Sequence, residues 1–349
     1  MVYIRSASNI SPQATFGQSL PDALAAAPAV HAGNRLRAAE PDYNLYIDAK
    51  MIRRMSRVIR MGVAAAMECL QKAGAPDAII TGTAYGCLED TGIFLRKMIE
   101  NKEEMLTPTA FIQSTHNTVG AQIALMLKNH GYNNTFVHRG WSFESALLDA
   151  VMYLGENQGH TVLAGCVDEI TDASHTLLSR FGLYKTGAGS NLDLFSGGTK
   201  GTIAGEGAAF FLLTNREDEE NLARLEGLTT FYKPQSIGEA AEHIHSFLHA
   251  HALDTRDIDL VIMGRNGNRP EDDWYDGVRE AAFPTCPVEP YKHLSGEYPT
   301  STGYALWMAA AMLATGIQSP GHVADRPRRI LIYNQYQLTH HSLLLVSSC

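Results

Sequence analysis

The stretch Thr135-Phe-Val-His-Arg-Gly-Trp-Ser-Phe-Glu-Ser-Ala-Leu-Leu-Asp-Ala150 decides which fold this chain adopts. Its first residues favour a strand, Ser142 is a favourable N-cap, and the apolar residues that follow recur at helical spacing until Gly155. A strand that turns sharply into a helix presents a side chain at the positive end of the helix, where a nucleophile is activated and its oxyanion is stabilised. The turn itself consists of Arg139, Gly140 and Trp141. None of these is a nucleophile, so the sequence predicts a catalytic turn that lacks its attacking group.

The composition is typical of a globular protein and excludes several classes of function. Of the 349 residues, 45% are apolar and 19% are charged, which permits a large buried core and excludes wholesale disorder. A net charge of −9, with no basic cluster among aromatic residues, argues against binding to nucleic acid. We see no signal sequence and no run of about 18 consecutive apolar residues, so we expect no membrane span. The five scattered cysteines form no CxxC, which favours a cytoplasmic protein.

Short apolar runs alternate with longer helical patterns, which is typical of an α/β fold. The predicted strands cover residues 77–83, 161–165, 202–213 and 259–263, and a terminal hairpin joins 329–333 to 342–346. The predicted helices cover residues 90–98, 120–127 and 302–315. Gly205 and Gly207 permit a bulge or a close backbone approach within the long strand. The elements form two similar sets, which predicts two fused halves, 1–220 and 221–349, that share one compact core.

Five short motifs together give a more specific indication than any of them gives alone. They are Asn117–Gly120, Ala164–Glu169, Gly205–Ala208, Asn266–Pro270 and Lys292–Glu297. Their order and spacing resemble those of the β-ketoacyl synthases of fatty-acid and polyketide biosynthesis, which are members of the thiolase superfamily. The resemblance covers most of the chain. It implies an α/β protein with a thiolase-like fold, layered αβαβα from two fused halves.

The same resemblance implies where the catalytic groups of such an enzyme would lie. Counted along the family spacing, the nucleophilic cysteine falls on Gly140, and the two catalytic histidines fall on Asn266 and Glu297. The lysine of the last motif is retained as Lys292. A glycine-rich loop of the family falls on residues 334–340, which contain no glycine, so its tight turns and oxyanion-stabilising geometry are not expected here.

Decarboxylative condensation requires a thiolate that carries the acyl chain and two neutral histidines that bind the malonyl carbonyl and stabilise the enolate. Gly140 cannot be acylated. Asn266 retains a hydrogen-bond donor, whereas an ionised Glu297 would repel a developing enolate. Because such groups act as a unit, losing all three removes both half-reactions. We therefore predict that the chain has no catalytic residues for condensation.

Finer details resemble one branch of the family. The basic run from Arg53 to Arg57, the helix start Ser142–Leu147 and the short length are similar to the synthase-like proteins of bacterial aryl-polyene and flexirubin pigment clusters. In that branch a catalytically silent subunit pairs with an active synthase as a chain-length factor. The resemblance implies a heterodimer with an active ketosynthase, contact with an acyl carrier protein, and no cofactor or metal.

The resemblance also implies which residues shape the product. The region Thr107–Asn117 corresponds to one that reaches across the dimer and bounds the acyl tunnel, so Phe111 and Ile112 are candidates for setting chain length. We expect this region to form an apolar patch that is buried only in the pair. Trp141 would lie at the end of the tunnel, and Leu338 matches the gating aromatic of the family.

Two other functions remain open at this stage. Cys87 also lies between a strand and a helix. If Cys87 were the nucleophile, the chain would be a standalone acyltransferase or thiolase-like enzyme. The alternative role for this residue is burial in a glycine-rich turn. A homodimeric scaffold that binds carrier protein without shaping a product is the other candidate.

Two charged patterns have both a structural and a functional interpretation. Four arginines predict a basic helix face that is either solvated or docks an acidic carrier protein: Arg53, Arg54, Arg57 and Arg60. His245 and His249 lie four residues apart on one predicted helix face, but the motif has no third ligand, so we interpret them as part of a solvated face.

Overall fold

The computed structural model describes residues 1–71, 73–106, 108–187, 189–317 and 326–349, and it confirms the predicted α/β organisation. The strands are β1 (Val2–Ile10), β2 (Arg35–Leu36), β3 (Ala78–Gly82), β4 (Tyr132–Phe136), β5 (Thr161–Asp168), β6 (Ala204–Gly205), β7 (Gly207–Thr214), β8 (Ala223–Tyr232), β9 (Leu260–Met263), β10 (Val288–Pro290), β11 (Arg329–Tyr336) and β12 (His340–Ser347). The α-helices are α1 (Leu20–Ala25), α2 (Ala49–Ile52), α3 (Arg57–Leu70), α4 (Leu88–Glu100), α5 (Pro108–Gln113), α6 (Thr118–Leu127), α7 (Ser142–Glu156), α8 (Asp172–Arg180), α9 (Ile237–Ala250), α10 (Arg269–Ala282), α11 (Lys292–Ser295) and α12 (Thr302–Thr315).

Ten strands form one main sheet in the order β10-β9-β11-β12-β8-β1-β7-β5-β3-β4. On one side, β7 pairs antiparallel with β1 and β5, and β5, β3 and β4 run parallel. The other side repeats this pattern, because β12 pairs antiparallel with β8 and β11, and β11, β9 and β10 run parallel. Residues 2–4 of β1 pair antiparallel with β8. The sheet is therefore built from two similar units that are joined at a short seam.

Three apolar cores separate the layers. The central core contains α7 and α12 together with inward-facing residues from strands of both units. A second core packs α3 and α6 against the outer face of the β1–β7–β5–β3 strands. A third packs α9 and α10 against the outer face of β9, β11 and β12. This arrangement confirms the predicted layer order αβαβα.

The most buried helix is α12, because it lies between the two units of the sheet. All of its residues from Thr302 to Leu313 are buried, as expected for a helix that is apolar on every side. Gly316, with a φ of +71°, adopts the left-handed conformation that ends it. Among the described residues, no helix combines the length and the apolar composition needed to cross a membrane.

The predicted long strand over residues 202–213 is interrupted. The structure has the short β6 and the longer β7, and Glu206 between them turns its carboxylate into the protein, where it is fully buried. Gly205 confirms the predicted close backbone approach, because a Cβ at this position would lie 2.6 Å from the Gly296 Cα. This contact brings the segment before Glu297 against the strand.

The start of α7 also differs from the prediction. A 3-10 turn over Arg139–Trp141 leads directly into the helix, so Trp141 is the N-cap and Ser142 is already helical. The Ser142 hydroxyl accepts from the His138 N–H (2.9 Å) and donates to the Arg139 carbonyl (2.8 Å). The Ser142 hydroxyl therefore stabilises the 3-10 turn and does not cap the first turn of α7.

Candidate functional site

The turn between β4 and α7 has no room for a side chain at its tip. Gly140 is buried there, and a Cβ built on it would lie 2.6 Å from the Tyr336 Cβ and 3.2 Å from the His340 Cβ. Arg139 just before it has a φ of +50°, a conformation that non-glycine residues rarely adopt. The space that a side chain at position 140 would need is thus occupied by Tyr336 at the end of β11.

Trp141 fixes this turn against β12. Its indole Nε1 donates to the His341 carbonyl at 3.1 Å, and its ring makes an edge-to-face contact with His340 at 4.9 Å. The residues 334–340 that replace the family's glycine loop therefore supply bulky contacts to the turn. Burial lowers the pKa of His340, and the neighbouring His138 and Arg139 lower it further.

A buried polar cluster brings together three residues singled out in the sequence. Lys292 Nζ lies 2.7 Å from Glu297 Oε2, and the Asn266 amide donates to the same oxygen at 2.7 Å. The second N–H of that amide is directed at Glu271 Oε2, at 2.9 Å, and Gln335 donates to this oxygen at 2.8 Å. Asn266, Lys292 and Glu297 therefore form one network with Glu271 and Gln335.

The charge of this cluster is unsuited to binding an anion. Lys292 is 0% exposed, and its ammonium group forms an ion pair with Glu297. Burial raises the pKa of Glu297, Lys292 opposes that rise, and the nearby carboxylate of Glu271 adds to it. Both amide protons of Asn266 are donated to carboxylates, so this side chain has no donor left for a thioester carbonyl.

Tyr336 and its neighbours also fill the space beside the cluster. The Tyr336 hydroxyl lies 3.2 Å from the Tyr85 hydroxyl. The cavity bounded by Tyr336, Tyr184 and Glu297 has a volume of only about 20 Å³. This is room for about one water molecule and not for an acyl thioester.

The sequence motif Gly205–Ala208 has a structural role. Glu206 Oε1 and Oε2 bind the Arg57 guanidinium in a bidentate ion pair at 2.6 and 2.8 Å. The same carboxylate accepts from the backbone N–H groups of Ala38 and Ile170, each at 2.8 Å. Glu206 therefore ties α3 and two loops to the interrupted strand.

The predicted basic helix face is wrong. Helix α2 ends at Ile52 and α3 begins at Arg57, so Arg53 and Arg54 lie in the turn between two helices. Arg57 points inward to Glu206 and Glu40, and Arg60 lies over the Tyr43 ring. The four arginines have different surroundings because the periodicity is broken at residues 53–56.

The environment of Cys87 disfavours its use as a nucleophile. It is the N-cap residue of α4 and 0% exposed. Burial, with smaller contributions from Asp90 and Glu169, raises the pKa of its thiol to about 12. A reactive cysteine needs an accessible thiolate, which this site does not favour at neutral pH.

Phe111 and Ile112 lie on a surface that is unusually apolar. They belong to α5 and are 57% and 62% exposed, and the Phe111 ring contacts Phe94 of α4 at 5.3 Å. We call this surface the α4–α5 patch, which comprises Leu95, Ile99, Met105, Phe111 and Ile112. Thr107, the first residue of the predicted region, lies outside the described residues.

Leu338 lies in the tight turn that joins β11 and β12. Its φ is +51° and that of Gln337 is +56°, so both residues adopt the left-handed conformation. Its backbone N–H donates to the Gln335 side chain. The side chain is half-buried and follows directly on the strand that carries Tyr336.

Sequence reasoning missed the residue that most determines this site. The loop 334–340 was recognised as having lost its glycines, but the direction of the Tyr336 side chain was not predicted. The only signal in the sequence was the glycine at the tip of the predicted turn, which leaves room for a side chain from elsewhere. Tyr85 and Gln335 carried no signal in the sequence.

The layers, the strand order and the turn before α7 together define a thiolase-like fold of the ketosynthase type. Residues 36–181 match the family model described as "Beta-ketoacyl synthase, N-terminal domain". Across this segment, which is less than half of the chain, the sequence is similar to that family. No curated protein matches the sequence significantly.

Solved structures share this fold over their full length. The structure named "The ishigamide ketosynthase/chain length factor" has a TM-score of 0.80 at 16% identity, covering 100% of this chain and 99% of that one. A β-ketoacyl synthase from Burkholderia phymatum has a TM-score of 0.80 at 13% identity, with the same coverage. A type II PKS acyl-carrier protein in complex with its ketosynthase bound to the hexaketide gives 0.74 at 15% identity, again covering 100% and 99%. At these identities the likeness concerns the fold.

Proposed function

We propose that this protein is a catalytically silent ketosynthase-like subunit that acts as a chain-length factor. It pairs with an active β-ketoacyl synthase, receives an acyl carrier protein at the pair, and works in the cytoplasm in polyene biosynthesis of the aryl-polyene or flexirubin type. The finer assignment rests on the resemblance of the basic run from Arg53 to Arg57 and of the helix start Ser142–Leu147 to that branch of the family.

The observation that carries the proposal is the filled turn at Gly140. A synthase needs a cysteine there with open space for the acyl group, and here the tip bears no side chain and faces Tyr336. The neighbouring cavity of about 20 Å³ cannot admit a substrate. A subunit whose partner performs the chemistry needs the fold but does not need an open active-site cavity.

The polar cluster supports the same conclusion. In place of two neutral imidazoles, Asn266 and Glu297 form a network with Lys292 in which the donors are directed at carboxylates. A developing enolate would meet negative charge rather than stabilising donors. Such a network contributes to the stability of the frame and not to decarboxylation.

Two surface features support pairing with another subunit. The α4–α5 patch exposes large apolar side chains, among them Ile99 (76% exposed) and Met105 (93%), which is costly for a protein that remains alone. Strand β4 is the end strand of the main sheet, and apolar residues on and beside it are exposed, including Tyr132 and Val137. An open edge with apolar flanks is suited to association with a partner.

The alternative is a standalone acyltransferase or thiolase-like enzyme that uses Cys87. The position of Cys87 at the start of α4 favours a role as nucleophile, whereas its complete burial and the raised pKa of its thiol oppose that role. A homodimeric scaffold is a further possibility, and it differs from the proposal in not affecting product length.

Intact-protein mass spectrometry after incubation with malonyl- and acyl-carrier-protein thioesters distinguishes the silent subunit from the standalone enzyme. We expect no covalent acyl adduct on this chain, alone or with its partner synthase, and an adduct on the partner. An adduct on Cys87 would contradict the proposal and support the alternative.

Product length in the assembled pair tests the role of the tunnel residues. We expect Phe111→Ala to lengthen the polyene, because truncating this ring enlarges the space that it bounds in the pair, and chromatography with mass spectrometry measures the shift. Phe181→Ala, the same truncation at a position that is 78% exposed elsewhere on the surface, is the matched control. Unchanged product length from a pair that still co-purifies would refute the chain-length role of Phe111.

A further inference from the structure

Helix α9 and the residue after it carry four histidines, two of which are held by contacts with the rest of the protein. His243 stacks on the Phe231 ring at 4.4 Å. The Nδ1 of His251 donates to a carbonyl of the preceding helical turn at 2.8 Å. His245 and His249 make no hydrogen bond or ring contact within the part of the chain that the structure describes. These two rings are therefore available to a ligand.

His245 and His249 face the same space. They lie four residues apart in an unbroken helix, so their side chains point within about 40° of each other around the helix axis, with Cβ atoms about 5–6 Å apart. Both are exposed, and both line one open depression on the surface together with Leu253 and Asp254. Of the 14 histidines in the sequence, they are the only two that are four residues apart.

The helix fixes the backbone beneath both rings. Ile244 and Leu248, which immediately precede the two histidines, are 0% exposed and belong to the third core. Ser236 caps the start of α9, because its hydroxyl accepts from the Glu239 N–H at 3.1 Å. A ligand that binds both rings therefore restricts only their side-chain rotamers and does not have to order the backbone.

Two imidazoles at this spacing can chelate a divalent transition-metal ion. Helices that bind zinc place two histidines at i and i+4 on one face in the same way. Imidazole is a ligand for Zn²⁺, Ni²⁺ and Cu²⁺, whereas Mg²⁺ and Ca²⁺ take oxygen ligands. Once one ring has bound the ion, the second ring is held nearby at a high effective concentration, so the pair binds much more tightly than a single histidine.

The charges around the pair favour a cation. His249 lies in the last turn of α9, where the negative end of the helix dipole attracts positive charge. Glu242 lies three residues before His245 on the same face and is exposed. Asp254 forms an ion pair with Arg256 at 2.7 Å, so these two side chains together add no net charge.

We infer that His245 and His249 form a two-histidine site for a divalent transition-metal ion of the Ni²⁺, Cu²⁺ and Zn²⁺ class. Within the described residues, no group of three or more His, Cys, Asp or Glu side chains is arranged to hold a metal ion. The pair therefore supplies two ligands, and water or an external ligand supplies the others. The site is independent of the proposed chain-length function.

Calorimetric titration of the untagged full-length chain with NiCl₂ at pH 7.5 tests the site. Ni²⁺ is the probe because it binds imidazole strongly and, unlike Cu²⁺, does not oxidise the exposed Cys349. We expect saturable binding of one ion per chain with a Kd below about 100 µM. Absence of saturable binding would overturn the inference.

Two variants test whether the spacing of the rings determines the affinity. His245→Ala should weaken Ni²⁺ binding at least about tenfold, because a single ring cannot chelate. The double variant His249→Ala/Ala250→His keeps the number of histidines and uses an exposed position of the same helix. It turns the second ring about 140° away from His245, so it should bind as weakly as His245→Ala. Wild-type affinity in either variant would overturn the inference.

Thermal unfolding of the same three proteins gives a second measurement. An ion that binds the folded helix raises the unfolding midpoint, so Ni²⁺ should raise the midpoint of the wild type more than that of either variant. Equal shifts in all three proteins would mean that the ion binds outside the pair, which would refute the assignment.

Discussion

At Gly140 the absence of a side chain is a packing requirement. The Tyr336 Cβ would lie 2.6 Å from an added Cβ, and because it is attached directly to the backbone of β11 it cannot turn aside. A new side chain at this position forces the turn or the strand to move. The two positions are therefore coupled, because the glycine in the turn leaves the space that the tyrosine occupies.

We expect Gly140→Ala to lower the free energy of unfolding by about 1–3 kcal/mol, measured by urea denaturation. In a Tyr336→Gly background the same substitution should cost much less, because the opposing Cβ is gone. Gly155→Ala in α7 is the control, since nothing lies within 4 Å of its Cβ, and it should stabilise by about 0.5–1 kcal/mol. Equal costs of Gly140→Ala in both backgrounds would show that Tyr336 does not fill the turn.

Glu144 lies in α7, four residues after Gly140, and it makes the stability of the folded protein depend on pH. It is 0% exposed, and its Oε1 accepts from the Ser342 hydroxyl at 2.9 Å. Burial raises the pKa of its carboxyl from 4.5 to about 7, although hydrogen bonds and Lys292 oppose that rise. The folded state thus holds this proton more tightly than the unfolded chain. The resulting stabilisation is complete below pH 4.5 and is lost as the pH rises to about 7.

We expect Glu144→Gln, which resembles the protonated form, to remove that loss. The stability of the variant relative to the wild type should increase from about pH 5 to about pH 7.5, by up to about 3 kcal/mol, as measured by urea denaturation across this range. Glu242→Gln, at an exposed position of α9, serves as the control and should show no such trend. A difference between Glu144→Gln and wild type that is independent of pH would contradict the assignment.

Among the elements, α3 depends on one buried ion pair. The Arg57 guanidinium is 20% exposed and faces a Glu206 carboxylate that is fully buried in the gap between β6 and β7. Removing one partner of such a pair leaves an uncompensated charge, which costs more than the pair contributes. This contact also explains why the predicted continuous strand is interrupted there.

We expect Arg57→Ala to destabilise the protein by about 3–5 kcal/mol, which thermal or urea unfolding would show as a large shift of the midpoint. Arg54→Ala, at an exposed position in the turn before α3, is the matched control and should change the stability by less than about 0.5 kcal/mol. A small effect of Arg57→Ala would mean that Glu206 is held mainly by the backbone N–H groups of Ala38 and Ile170.

The helices and strands could be predicted from the sequence where the local residue pattern agrees with the burial of the element, and not elsewhere. The mostly apolar run over residues 302–315 and the Gly316 that ends it predicted α12 in full, because a buried helix between two sheet units needs apolar residues on every side. The prediction that Ser142 caps α7 was wrong, because its hydroxyl donates to the Arg139 carbonyl in the preceding 3-10 turn. Asn266, Lys292 and Glu297 of the polar cluster were identified by motif position, but their hydrogen bonds join residues such as Asn266 and Glu297 that no local pattern connects.

For the whole molecule, the repeated strand order supports our division into residues 1–220 and 221–349, which we retain as a proposal. The two parts share the central core, where α12 of the second part packs with strands of the first. Each part alone would expose that surface to water, and the hydrophobic stabilisation of the core would be lost.

We therefore expect residues 1–220 expressed alone to show no cooperative unfolding by circular dichroism, because the fragment lacks half of its core. Co-expression with residues 221–349 should restore a single cooperative transition, which is the control for fragment quality. A cooperative transition of the first fragment by itself would show two independently stable domains.

The position of strand β1 in the main sheet affects how the chain folds during its synthesis. It lies in the middle of the main sheet, between β7 and β8, which begin at Gly207 and Ala223. At a synthesis rate of about 5–20 residues per second, the ribosome releases these neighbours roughly 10–40 s after β1. Throughout that interval an apolar strand has neither of its pairing partners. The pairing of β1 should therefore be limited by contacts that only the later synthesis of β7 and β8 permits.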